Sequence, residues 1–308
     1  MILLGARQES GASSLDTEEE RAAGVARPQR LNFREWQLAL PLGLAFAALF
    51  LAPFLLLFGV AFFDDDKITQ PGFAQWIKFF GDPFHYKVIA DTMLLGVKTV
   101  AATILVGYPL ALVYIDLPPR LQRVLLFVIV LPLLLSVVVR TFAWIVVLGH
   151  EGLVNTLLIK LHLITEPLKL LQTELGLVIS LTQIEMPLML LPLISVMSRL
   201  DPNLRDASAA LGASRWRTLF TVMLPLSTPG LVAGCLLVFA SSTTAFISQT
   251  IIGGMRLIYL PLIVWQESLV VFNWPYAAVA SIALLISVLS VVAALSWLGR
   301  RSGGAIHG

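Results

Sequence analysis

The sequence predicts an all-α integral membrane protein with six transmembrane helices and both termini in the cytoplasm. Of its 308 residues, 57% are hydrophobic and only 13% are charged, which is far too apolar for a soluble chain of this length. Six apolar segments reach the roughly 20 residues with which a helix crosses a bilayer. Arginine is concentrated in alternate connections between these segments, and that bias orients the helices.

The predicted spans are separated by polar or proline-containing connections. They cover residues 38–61, 89–115, 124–148, 174–197, 228–247 and 276–298. An aromatic stretch at 73–80 predicts a helix in the membrane interface, and an amphipathic piece is expected at 157–163. The apolar stretch 257–272 is interrupted by Pro261 and by Gln266-Glu267, so we expect a re-entrant or surface helix there instead of a seventh span.

Basic residues assign the cytoplasmic side, because short cytoplasmic loops carry an excess of them. The richer side holds Arg7, Arg21, Arg27, Arg30, Arg34, Arg120, Arg123, Arg199, Arg205, Arg215, Arg217, Arg300 and Arg301. The other side holds Lys67, Lys78, Lys87, Lys160, Lys169 and Arg256. We therefore predict that both termini and the connection between the fourth and fifth spans are cytoplasmic.

Four regions follow from this topology. Residues 1–36 are predicted to be a mostly disordered cytoplasmic tail with a short helix near 16–23. Residues 37–86 hold the first transmembrane helix and a periplasmic segment, and 87–298 form the main transmembrane domain. Residues 299–308 form a second cytoplasmic tail.

A polar, arginine-bearing stretch at 199–225 lies between the fourth and fifth spans. Ala207 and the residues after it favour a helix, and Gly212 is suited to end that helix in a left-handed cap. Ser214 is placed to cap a second short helix that carries Trp216 and Phe220. We therefore expect a helix–turn–helix on the membrane surface.

The spacing in this stretch resembles the signature of permease subunits from binding-protein-dependent ABC importers. That signature is Glu-Ala-Ala, three residues, Gly, nine residues, and Ile-x-Leu-Pro. The matching residues here are Asp206, Ala207, Ser208, Gly212, Val222, Leu224 and Pro225. The resemblance implies the type I importer permease fold, and it implies that the loop is a coupling helix that docks on an ATPase subunit. The alternative is an ordinary amphipathic loop, which gives no reason for Gly and Leu-Pro at these offsets.

The same resemblance implies a multi-subunit importer in the bacterial inner membrane. Its other parts would be two ATPase subunits that bind ATP and Mg, a second related permease and a periplasmic substrate-binding protein. The run from Arg140 to Trp144, the run from Gly152 to Asn155 and the pair Gly253-Gly254 resemble the polyamine-type permeases. They imply a putrescine- or spermidine-like substrate; an opine, an amino-acid derivative and an inorganic anion are the alternatives.

Catalytic patterns are missing from the sequence. It holds no Gly-x-x-x-x-Gly-Lys-Ser/Thr motif, and no two of its histidines have metal-ligand spacing, so we predict no ATP site, no metal and no catalytic site in this chain. The hydroxyl cluster 241–244 has no base in its span, so its side chains are expected to bond backbone or a neighbouring helix. The net charge of +2 implies no nucleic-acid partner. A stand-alone secondary transporter and a membrane enzyme are the rival classes; the first predicts inverted repeats.

Three ionisable residues lie within the predicted spans: Lys98, Arg140 and Glu185. With a rise of about 1.5 Å per residue from each cytoplasmic end, they lie roughly 25, 24 and 18 Å into the membrane. Charge there is costly and usually faces a cavity or a partner. We hypothesise that they line the translocation path and that Glu185 pairs with Arg140 or Lys98. A structural ion pair between helices is the alternative. Gly230 and Gly234 predict close helix packing.

Overall fold

The computed structural model describes residues 33–254 and 256–304. The predicted tail at 1–36, apart from 33–36, and its short helix at 16–23 lie outside the described residues, as does 305–308. Side-chain surroundings are described for 40–254, 256–297 and 299. Thirteen helices of regular α-type are present in the described part.

The helices follow one another with short connections. In chain order they are α1 Phe33–Val60, α2 Ala74–Gly81, α3 Pro83–Asp116, α4 Pro119–Val130, α5 Val137–Leu148, α6 Leu153–Lys160, α7 Glu174–Met197, α8 Asn203–Ala210, α9 Arg215–Thr218, α10 Leu224–Thr243, α11 Phe246–Gly253, α12 Leu260–Trp265 and α13 Trp274–Gly304. A 3₁₀ turn, Leu131–Leu134, follows α4. Wide π-helical turns follow α9 at Leu219–Met223 and α12 at Gln266–Val270.

The chain divides into two units between Leu57 and Phe58. The described part of the first unit is α1 up to Leu57. The second unit begins with a tight polar loop after Phe63, in which the Asp65 carboxylate accepts hydrogen bonds from Thr69 and Gln70. The hydroxyl of Thr69 is the main reason that the pKa of Asp65 falls to about 2.

Six segments of the described chain are long and apolar enough to cross a membrane, as predicted. They are Leu40–Val60, Pro83–Asp116, Val137–Lys160, Glu174–Met197, Arg215–Thr243 and Trp274–Trp297. The apolar segment Leu260–Val270 is too short to cross, which confirms the prediction of a shorter helix at 257–272. The interfacial stretch 73–80 is helical as predicted, as α2.

The third predicted span, 124–148, is wrong as a continuous helix. Pro132 has no amide hydrogen and its ring crowds the preceding turn, so α4 ends at Val130 and a 3₁₀ turn follows. Leu135 is extended, and α5 begins at Val137. Neither α4 nor α5 reaches the length of a membrane span by itself, and the segment of sufficient length is Val137–Lys160.

The fifth predicted span, 228–247, is wrong at both ends. Its helical segment begins at Arg215 and ends at Thr243. The helix ends before residue 247 for a local reason. The Thr244 hydroxyl donates to the carbonyls of Ala240 and Ser241, and such bonds compete with the backbone hydrogen bonds of the helix. The chain turns at Ala245 and α11 begins at Phe246.

Helix α7 is the centre of the second unit. In its most apolar 18-residue window, 61% of the residues are buried, against 33% or less in the other five segments. It packs mainly against α3 and α10. This position explains why Glu185, which lies in the middle of α7, is only 4% exposed.

Close packing of α7 against α10 depends on two glycines, as predicted. A methyl group at Gly234 would lie 2.9 Å from the carbonyl oxygen of Met189, and one at Gly230 would lie 2.8 Å from that of Pro192. Both close atoms belong to the backbone, so neither contact could be relieved by moving the end of a flexible side chain. The two backbones therefore touch because α10 carries no side chain there.

Replacing Gly234 by leucine is expected to destabilise the second unit by about 1–3 kcal/mol, the usual range for overpacking. The measurement is the melting temperature of the purified protein in detergent. It is taken as the temperature at which heating removes half of the monodisperse peak in size-exclusion chromatography. The matched control is Gly59→Leu, because a β-carbon there would meet nothing within 4 Å. Equal melting temperatures for the two variants would contradict the packing argument.

Candidate functional site

The polar loop between α7 and α10 forms the predicted helix–turn–helix. Helix α8 ends in a left-handed turn, with φ of +79° at Gly212. The amide of Gly212 donates to Ala209 and that of Ala213 donates to Ser208, at 2.9 and 3.1 Å. The Ser214 hydroxyl then accepts from the amide of Arg217. These bonds satisfy the carbonyls at the end of α8 and cap the start of α9.

The second helix of this loop is not separate, which corrects the expectation from sequence. Helix α9 continues through the π-helical turn into α10, where Leu224 and Pro225 occupy the first turn. Pro225 lacks an amide hydrogen, and its ring would clash with a carbonyl one regular turn earlier. The wider π-helical turn before it accommodates the ring. The loop therefore continues without a break into the fifth span.

The outer face of the loop exposes apolar side chains. Leu211 is 89% exposed, Trp216 is 71% exposed and Phe220 is 60% exposed. The rings of Trp216 and Phe220 stack with centroids 6.2 Å apart. Asp206 and Ala207 on α8 are exposed as well, and α8 contains no buried residue. Clustered apolar exposure of this kind is typical of a surface that another molecule covers.

A cavity of about 470 Å³ lies in the second unit between α5, α7, α10 and α11. Arg140, Glu185 and Ser241 are in its wall. The Glu185 carboxylate and the Ser241 hydroxyl line the same wall of this cavity. Arg140 donates through Nη1 to the carbonyl of Ile184 at 3.2 Å, while its Nε is buried without a partner among the described residues. The cavity thus presents one carboxylate and one guanidinium.

Lys98 does not join these two residues. Its ammonium donates to the Glu174 carboxylate at 2.5 Å, and Glu174 is the first residue of α7. Glu174 and Glu185 are separated by about 16 Å along the helix, at 1.5 Å per residue. The predicted pairing of Glu185 with Lys98 is therefore wrong, and of the predicted layer only Arg140 and Glu185 share a cavity.

Several residues of the cavity wall could not be identified from the sequence, because the turn between α10 and α11 sets their positions. A second cavity, of about 720 Å³, shares Ser241, Thr244 and Phe246 with the first and adds Trp265. The rings of Phe246 and Trp265 stack with centroids 5.6 Å apart. The two cavities adjoin, so an aromatic pair lies next to the charged wall. The run of hydroxyl residues at 241–244 was the available signal for this turn.

The hydroxyls of this run behave as predicted. Ser242 and Thr243 donate to the carbonyl of Phe239, within their own helix. Thr141 on α5 and Ser248 on α11 form a buried hydroxyl pair, 3.1 Å apart. The Thr141–Ser248 pair links α5 to α11 next to the charged cavity.

Comparison with known proteins decides the family. Residues 103–303 match the family described as the binding-protein-dependent transport system inner membrane component. The chain belongs to this family. It is an inner-membrane permease subunit of an ABC importer, in agreement with the expectation from the signature loop.

Individual relatives agree with this assignment. The spermidine/putrescine transport system permease protein PotB of Haemophilus influenzae is 32% identical over 240 residues, 77% of this chain and 84% of its own length. The molybdenum transport system permease protein ModB of Mycobacterium bovis is 32% identical over 214 residues, 67% of this chain and 76% of its own. A bacterial ABC transporter that imports the acidic polysaccharide alginate has the same fold, with a TM-score of 0.70 at 17% identity over 94% of this chain and 99% of that one.

Proposed function

We propose that this permease carries a polyamine of the putrescine or spermidine type into the cytoplasm. The observation that carries the proposal is the cavity lined by buried Glu185 and by Phe246. Phe246 also lines the second cavity, where its ring stacks on that of Trp265. A flexible alkylammonium ion is recognised by a carboxylate together with aromatic faces. Relatives that transport spermidine and putrescine support this substrate class.

Energy for transport would come from partner subunits. The exposed apolar face of the loop, formed by Leu211, Trp216 and Phe220, fits a groove on an ATPase, and the signature residues Asp206 and Gly212 shape it. In the complete importer, two ATPase subunits would hold ATP and Mg, and a second permease would pair with this one. This chain itself would carry out no covalent chemistry.

Alternating access would work through the apolar layer next to the cavity. Leu177 and Leu181 lie on α7 between Glu174 and Glu185, fully buried in a cluster with Leu95 and Leu148. With the cytoplasmic side assigned by the arginine bias, this layer closes the cavity from the periplasm. Loading of the binding protein and closure of the ATPases would open it, which is a shift between two states biased by ligands.

An inorganic oxyanion is the second candidate substrate. Arg140 lines the same cavity and its Nε has no partner among the described residues. A guanidinium with free donors binds oxyanions well, and a molybdenum permease is among the relatives. This arrangement distinguishes the two candidates, because a cation needs Glu185 and an anion needs Arg140.

The test is uptake by the complete importer in proteoliposomes, with ATP enclosed and the loaded binding protein outside. Labelled putrescine, spermidine and molybdate are the probes. ATP-dependent accumulation of a polyamine supports the proposal, and accumulation of molybdate alone replaces it with the second candidate. Uptake by this chain without ATPase subunits would instead indicate a secondary transporter.

A further inference from the structure

Helix α8 is held to the rest of the second unit by few contacts. None of its residues is buried, and its packing is concentrated on α9 and the π-helical turn. A cavity of about 580 Å³ separates the loop from the end of α3, and another of about 240 Å³ lies between α3 and the start of α8. Apolar packing therefore provides little direct connection between α8 and α3.

Two polar links hold α8, and one of them crosses to α3. Ser208 on α8 and Thr218 on α9 form a hydroxyl pair at 2.9 Å, which stays within the loop. Arg205 on α8 donates through Nη1 to the carboxylate of Asp116 at 2.5 Å, and Asp116 is the last residue of α3. Both cavities have Asp116 and Arg205 in their walls.

The ion pair fits its position electrostatically. A carboxylate at the C-terminus of a helix is unfavourable because the helix dipole is negative there, and the Arg205 guanidinium offsets that charge on Asp116. The Asp116 side chain is 64% exposed, so the pair contributes little to the stability of the fold. Stability alone therefore gives no reason for this pair to bridge the two helices.

We propose that Asp116 and Arg205 transmit movement of the coupling loop into α3. This inference rests on the proposed drive by an ATPase. A force on α8 reaches α7 and α10 through the chain itself and then α3 through their packing on it. The ion pair adds a direct side-chain link from α8 to α3. Farther along α3, the Tyr108 hydroxyl meets that of Ser227 on α10 at 3.0 Å, and α3 packs along α7. The pair thus moves α3 together with the helix that carries Glu185. Arg205 and Asp116 are positioning residues, since neither lines the charged cavity.

The test compares uptake with binding-protein-stimulated ATP hydrolysis in the complete reconstituted importer. For Arg205→Ala and Asp116→Ala, we expect hydrolysis within about twofold of the wild type. The amount of substrate moved per ATP is expected to fall about three- to tenfold, which lies within the range of mutational effects on coupling. Arg205→Lys is expected to keep the wild-type ratio of substrate moved to ATP hydrolysed, because only one guanidinium nitrogen of Arg205 bonds Asp116. Exchanging the two charges, Arg205→Asp with Asp116→Arg, is expected to restore it to within about twofold.

The matched control is Arg123→Ala, which removes an exposed arginine whose Nε bonds only its own helix, at Pro119. If Arg205→Ala and Arg123→Ala give the same substrate-to-ATP ratio, or the charge exchange fails to restore it, the inference is overturned. If the wild-type importer shows neither stimulated hydrolysis nor uptake, the proposed function itself fails. The amount of each variant in the membrane fraction separates either outcome from loss of folding.

Discussion

Replacing Glu185 by glutamine is expected to reduce polyamine uptake by the reconstituted importer about thirtyfold. Glu185 is 4% exposed and is the carboxylate in the wall of the charged cavity. Glutamine keeps the shape of the side chain but removes the negative charge. Losing the charged partner of a buried cation commonly costs about 2 kcal/mol or more, which is about thirtyfold in affinity. Initial rates of labelled putrescine and spermidine uptake are the measurement.

Two companion variants make this result specific. Glu151→Gln removes an exposed carboxylate in the turn between α5 and α6, and wild-type uptake is expected. Arg140→Gln removes the cation that opposes Glu185 in the cavity, and polyamine uptake is expected to persist. If Arg140→Gln abolishes uptake and Glu185→Gln does not, the cavity recognises an anion and the polyamine proposal is wrong.

The sequence predicts the heights of charged residues in the membrane, but it does not predict their partners. A rise per residue places Lys98, Arg140 and Glu185 at similar depths. It does not show which face of the helix carries a given side chain, and it does not show how far a lysine side chain extends along the membrane normal. Lys98 extends to Glu174 at the start of α7, whereas Arg140 and Glu185 meet one cavity because α5 and α7 face each other there.

Breaks in the membrane helices were the second feature that hydropathy did not reveal. Leu131–Leu134 and the turn at Thr244 are as apolar or as small as their surroundings, so a hydropathy window runs through them. Their causes are local: the missing amide hydrogen of Pro132 and the hydroxyl bonds of Thr244 to its own helix. The second break brings Phe246 into the cavity wall. The cavity residues next to Arg140 and Glu185 could therefore be identified only from the three-dimensional structure.

The backbone of the polar loop at 199–225 was predicted well because its chemistry is local. A left-handed residue must follow α8, and glycine adopts that conformation without strain. Ser214 caps the next helix by a bond within three residues. Neither feature needs long-range contacts, so both could be inferred from residue type and spacing. The continuity of α9 with α10 was missed because a π-helical turn leaves no comparable pattern in the sequence.

Replacing Gly212 by valine is expected to lower both uptake and stimulated ATP hydrolysis at least about tenfold, while the protein still inserts in the membrane. The reason lies in the backbone, because a β-carbon at Gly212 would meet nothing within 4 Å. With φ at +79°, a residue with a β-carbon costs about 1–2 kcal/mol, and a β-branched residue is a stronger outlier. The turn then relaxes, and the face that carries Leu211 and Trp216 loses its shape.

Asparagine at the same position provides the control, because it tolerates the left-handed conformation. Gly212→Asn is therefore expected to keep most of the uptake, although asparagine is much larger than the glycine that it replaces. The contrast between valine and asparagine separates a requirement for this backbone conformation from a requirement for a small residue. If Gly212→Val transports normally, the left-handed turn is not needed for coupling. If both variants fail equally, the free space around Gly212 is filled in the complete importer, and the docking surface extends over the turn itself.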